Sequence, residues 1–169
     1  MSTFRRILPA VFLIACATAA AEPVGPVEVR FNEPEKFRDL RSSRVASERE
    51  SLALAGELRR HLEQRAPRHL PPGTRLAVTI TDVDMAGEHW PIAGLPVNSD
   101  VRVVKDVFPP RIDLDFRLSR SDGSVVREGH RELRDAMFLS SVSPSSNDLL
   151  RFEKALLDAW LQREFAAPR

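Results

Sequence analysis

Three carboxylates and an imidazole, Asp82, Asp84, Glu88 and His89, fall within eight residues of one another. Oxygen donors with one ring nitrogen suit a divalent cation, and a carboxylate beside a histidine also suits the proton transfers of hydrolysis. The spacing matches neither an EF-hand loop nor an H-E-x-x-H zinc site. Acidic residues where a strand meets a glycine-containing loop also serve as solvated turn formers. His61 falls on a polar helix face, His69 lies among prolines and arginines, and His130 falls on the polar side of a strand. No serine stands in a G-x-S-x-G elbow, and no glycine-rich loop suits a phosphate. Nothing in the chain calls for a cofactor.

The segment from Met85 to Asp100 carries chemistry of another kind. Gly87, Pro91, Gly94 and Pro96 argue for irregular backbone, yet Trp90, Ile92, Leu95 and Val97 are apolar. Irregular loops are usually polar, and tryptophan is enriched at binding hot spots. Trp90, Ile92 and Leu95, with Phe108 downstream, are therefore the candidate partner-binding residues. The alternative is that Trp90 folds back to cap the core.

Glu153 is the third conspicuous residue. At 100° per residue, Leu149, Phe152, Leu156 and Trp160 centre an apolar arc on the last helix, and Glu153 falls inside it. An unpaired carboxylate there would be costly. The expectation is a buried Glu153 paired with Arg127 or Arg131, with Arg111 as the fallback.

These residues need elements to position them. Val27, Val29 and Phe31 alternate with Glu28 and Arg30, which marks a first strand. Ser47 and Glu50 have capping-box spacing, and Leu52, Ala55, Leu58 and Leu62 follow at helical intervals up to Pro67. A second strand runs from Arg75 to Val83, and Val101 to Val104 can form a short one. Ile112, Leu114, Phe116 and Leu118 alternate with Asp113, Asp115 and Arg117, and Val125 to Leu133 returns after a turn at Ser121 to Ser124. With Asp122-Gly123 as a two-residue turn, Arg117 faces Glu128 and Asp115 faces His130, two complementary pairs. Ala136 to Asn147 reads as a loop, and Ser146 or Asn147 caps the last helix. The fold class expected is α+β: a single domain with a largely antiparallel four-stranded sheet and two helices packed on one face, in the order β-α-β-(β)-β-β-α.

The chain has 169 residues, 43% apolar and 29% charged, room for one ordinary domain with a core. Its net charge is +1, so there is no long-range attraction for nucleic acid. Met1 to Arg6 is basic, Ile7 to Ala17 is apolar, and A-x-A spacing follows, a pattern that fits a secretory signal of residues 1–21. Leu13-Ile14-Ala15-Cys16 also resembles a lipobox, in which case residues 1–15 leave and Cys16 is lipidated. Either form leaves no thiol for a disulfide. Residues 22–26 read as a linker, and the domain as 27–166.

Val27 to Phe31, Asp100 to Ile112 (DVRVVKDVFPPRI) and Leu150 to Phe165 (LRFEKALLDAWLQREF) are similar to runs in an exported bacterial family, domain-of-unknown-function family 3016. The resemblance extends over roughly Val27 to Phe165. It implies an exported single domain and carries no catalytic residues over. The sequence thus reads as a non-catalytic periplasmic binding or envelope-assembly module for a protein, peptide or cell-wall component, touching the membrane only through a Cys16 lipid. The alternative is a metal-dependent or other envelope hydrolase using Asp82, Asp84, Glu88 and His89.

Overall fold

The computed structural model describes residues 25–94, 100–141 and 147–165. The signal segment, Cys16, the first linker residues, Leu95, Val97 and Ser146 lie outside them.

The alternation at the start of the chain gives β1 (Val27–Phe31), with Val27 and Val29 buried. Ser47 then starts α1 (Glu48–Arg65) by accepting the Glu50 amide with its hydroxyl. Only half of the expected capping box forms, because the Glu50 carboxylate takes the Ser42 hydroxyl. The buried stripe of α1 is Leu54, Ala55, Leu58 and Leu62. Leu52, expected in it, lies about 100° from the centre of that stripe and is exposed.

α1 carries the chain back to β2 (Thr74–Asp84), which therefore pairs parallel with β1, Val29 opposite Val78. Adjacent parallel strands need such a crossover. β5 (Arg111–Arg120) and β6 (Val125–Arg134) add antiparallel, giving the order β1-β2-β5-β6. The sheet is thus mixed rather than wholly antiparallel. Its inner face presents Leu76, Val78 and Ile80 from β2 and Ile112, Leu114, Phe116 and Leu118 from β5, all buried. α1 and α3 (Arg151–Phe165) supply the opposing apolar faces, with Trp160, Phe116 and Phe165 edge to face at 5.6–5.8 Å. α3 is introduced by Asp148, whose carboxylate accepts the Leu150 amide, rather than by Asn147. Leu149 precedes the helix and is exposed, whereas Leu150 is buried. The stretch expected as loop holds a short helix, α2 (Phe138–Ser141), and Phe138 stacks edge to face on Phe152 at 4.9 Å.

Between β2 and β5 the chain forms a separate hairpin, β3 (Glu88–Pro91) with β4 (Asp100–Val103). Irregular backbone was expected up to Asp100. The punctuating residues sit outside or at the margin of the pairing instead: Gly87, at φ 87°, precedes β3, Pro91 is its last residue, and Gly94, at φ 81°, follows it.

The β5–β6 register pairs Arg117 with Glu128 and Asp115 with His130, the arrangement the charges favour. The turn is longer than two residues: the Gly123 amide donates to the Arg120 carbonyl, and the Arg120 amide to that of Ser124. One extra residue in the turn is compensated by a bulge between Leu118 and Ser119 on one side and Arg127 and Val125 on the other.

Candidate functional site

Strand alternation gives the hairpin two faces. Glu88, Trp90, Val101 and Val103 share one, and His89, Asp100 and Arg102 the other. The charged face is the buried one. The side chains of Arg102, His89 and Asp100 are only 8%, 8% and 4% exposed. The apolar face is open, with Trp90 42% and Val101 49% exposed.

What covers the charged face is the irregular stretch between β1 and α1, whose own backbone groups need partners. Arg102 Nη2 donates to the Arg41 carbonyl at 2.8 Å and to Asp39 Oδ2 at 2.9 Å. The Arg44 amide donates to Asp100 Oδ2 at 2.9 Å. Arg102 Nη1 lies 3.3 Å from the Ala86 carbonyl and 3.4 Å from that of Gly87. One guanidinium therefore ties the hairpin to the loop and to the end of β2. Gly87 is needed here, since a Cβ would stand 2.7 Å from the Val103 carbonyl oxygen.

His89 Nε2 lies 2.7 Å from Arg102 Nη2; a guanidinium only donates, so the ring meets it with its lone pair and shares the two Nη2 hydrogens with Asp39 and the Arg41 carbonyl. Nδ1 is 2.9 Å from Asp100 Oδ2, but the approach is too bent for a hydrogen bond. Burial, and then the Arg102 charge, hold the imidazole pKa below its usual value. A neutral ring whose basic nitrogen is occupied has nothing free with which to take a substrate proton.

The four metal candidates do not meet. Asp82 and Asp84 face Arg38, at 3.4 and 3.6 Å. Glu88 accepts from Trp90 Nε1 at 3.4 Å, on the face opposite His89. Among the described residues no three histidine, cysteine or acidic side chains are grouped to hold a metal. Burial raises the Asp84 pKa against the opposing pull of Arg38.

Of the candidate binding residues, Trp90 and Ile92 are exposed, and Lys105 Nζ sits 3.9 Å from the centre of the Trp90 ring. Phe108 is half-buried and lines a cleft of about 390 Å³ beside the hairpin. Trp90 does not fold back over the core.

Glu153 is fully buried, as its place on the helix demands, but its partner is not an arginine. Its Oε1 accepts the Ala86 amide at 2.7 Å, and Oε2 has no partner. Burial pushes the carboxyl pKa upward; the Ala86 amide and the charges of Arg102 and Arg151 oppose this without overcoming it. Arg131 and Arg127 do face the helices, but they meet Glu164, Arg131 at 2.8 Å and Arg127 at 3.4 Å. Arg111 makes no ion pair with Glu153 either. Glu153 and Glu164 lie within about 20° on one helix face but about 16 Å apart along it. Helical angle predicts the face and leaves the axial position open, which is why Glu164 rather than Glu153 meets the arginines of β6. His61, placed by the sequence on a polar helix face, joins α1 to α3 through Asp158 at 2.9 Å, with Arg65 at 3.3 Å.

The family model described as protein of unknown function (DUF3016) matches residues 25–163. The chain belongs to this family. No curated protein and no solved structure matches it. The DUF3016 match spans both sheets, the hairpin and nearly all of α3, so the inverted hairpin lies within the family domain. Among the described residues of this DUF3016 chain, no helix is long and apolar enough to cross a membrane.

Proposed function

We propose that this chain is a non-catalytic binding module of the bacterial envelope, which holds a protein or peptide partner against the open face of the β3–β4 hairpin. The observation that supports this reading is the inversion of the hairpin. A two-stranded hairpin is marginal on its own, and the economical arrangement would bury Trp90 and Val101. Here Arg102, His89 and Asp100 are buried instead, and the tryptophan and valine face outward. Lys105 lies over the Trp90 ring, and Glu88 accepts its indole proton, so the ring is oriented before any partner arrives. An oriented aromatic loses little entropy on binding. Ile92 and Val101 extend the patch, and Lys105 and Glu88 give it a charged rim.

A hydrolase reading gains nothing from this arrangement, because the imidazole nitrogen is occupied, Asp82 and Asp84 are held by Arg38, and Glu88 is turned to Trp90. The test is affinity capture from envelope extract with the wild-type domain and with Trp90→Ala. A hot-spot tryptophan is worth at least about 2 kcal/mol, roughly thirtyfold in affinity. A discrete partner retained by the wild type and lost with Trp90→Ala agrees with the proposal. Equal recovery by both proteins refutes it.

A further inference from the structure

The cleft beside the hairpin is lined by Arg38, Arg41, Arg44 and Arg111, and by Asp39, Asp84 and Glu88. Most of these charges cancel locally. Arg38 serves Asp82 and Asp84, and Asp39 is shared between Arg41 at 3.3 Å and Arg102 at 2.9 Å. Two arginines are left over. Arg44 uses its backbone amide, and its guanidinium reaches no acceptor among the described residues. Among the described residues the Arg111 side chain makes no ion pair or hydrogen bond: its charge acts on Asp84 only at a distance, and its Nε is removed from solvent without an acceptor. Its strand neighbours explain why: Asp84 on one side is engaged by Arg38, and Arg134 on the other is a like charge. Like charges directly opposite on a sheet repel.

We propose that this cleft binds an oxyanion, the carboxylate or phosphate group of a small ligand, gripped by Arg111 with Arg44 closing over it. A guanidinium presents paired donors in a rigid fork that matches either group. Phe108 and Met85 give the ligand's apolar part a wall. The acids in the lining do not forbid an anion, since Asp39 and Asp84 already have arginines and Glu88 is turned to the Trp90 indole. The proposal stands apart from the partner surface on the hairpin's outer face.

Isothermal titration at low ionic strength and neutral pH tests it, with citrate in one arm and inorganic phosphate in the other. Saturable binding of citrate alone assigns the site to carboxylates, binding of phosphate alone to phosphate groups, and binding of both to oxyanions generally. Arg111→Gln and Arg44→Gln should each weaken the bound anion at least tenfold. Arg111→Lys, which keeps the charge but loses the fork, should fall between. Arg117→Gln, exposed on the open sheet face, should bind like the wild type. Circular dichroism confirms that each variant is folded, and Arg44, being exposed, keeps the test sound if Arg111→Gln unfolds. The proposal is overturned if neither anion binds saturably, or if the Arg44 and folded Arg111 variants bind as the wild type does. Either failure leaves the difference in partner capture between wild type and Trp90→Ala unaffected, so the two readings fail separately.

Discussion

Replacing Glu153 by glutamine should stabilise the protein at neutral and alkaline pH and leave it nearly unchanged in acid. Glu153 has no exposed surface, Oε2 has no partner, and its pKa is raised by burial from an ordinary 4.5. A raised folded pKa means that the folded state holds the proton more tightly than the unfolded state does. The penalty is therefore absent below pH 4.5 and grows as pH rises from there towards the folded value. Over that window the free-energy gap between Glu153→Gln and wild type should widen by about 1.4 kcal/mol per pH unit. It levels off once the folded carboxyl ionises, on the scale of several kcal/mol that a buried, poorly paired ion costs. Glutamine keeps an oxygen for the Ala86 amide and carries no charge to desolvate. Urea denaturation of both proteins at pH 4, 5, 6, 7 and 8 reads the gap directly, because every other titrating group is common to the two. A gap that stays constant from pH 5 to pH 8 would show that Glu153 ionises normally, and the buried-acid account would fail.

Arg102→Met removes the one side chain that reaches Asp39, the Arg41 carbonyl, His89 and the Ala86 and Gly87 carbonyls; breaking such a buried pair should cost about 3–5 kcal/mol in urea denaturation, with faster amide exchange across β3 and β4. Gly87→Ala and Gly94→Ala both add a Cβ at positive φ, but only at Gly87 does that atom strike backbone. The first should therefore cost more than the roughly 1–3 kcal/mol of a strained backbone alone, and the second should stay within it; equal thermal melting of the two would contradict the close packing of Gly87 on Val103.

The sheet was legible where one strand property decided the outcome. Ile112 to Leu118 alternates without interruption, and the charges on Arg117, Asp115, Glu128 and His130 favour the register observed. The parallel pairing of β1 and β2 was missed, although a long helix between adjacent strands is what parallel pairing needs. In the hairpin the glycine and proline positions suggested a loop, and four-residue strands are too short for alternation to outweigh them.

Glu153 shows the same division within one residue. Its helical angle shows that it faces inward, and that the Ala86 amide rather than an arginine meets it there comes only from the tertiary arrangement. The buried set of Arg102, His89, Asp100 and Asp39 was not assembled from sequence either. Its members are scattered over more than sixty residues, and only the covering of the hairpin by the 37–46 stretch brings them together. Trp90 could be singled out because a tryptophan among loop-forming residues is unusual, and its exposure agrees with that signal.

Site-specific photocrosslinking in cells that make this protein tests the central claim most directly. A benzoylphenylalanine at Trp90 keeps an aromatic ring on the hairpin's open face, and one at Val101 occupies the cross-strand neighbour. Arg117, exposed on the open face of the main sheet, is the control. The account predicts one discrete adduct, of the same mass from positions 90 and 101 and absent from position 117. No adduct from either hairpin position, or the same adducts from position 117, would contradict it.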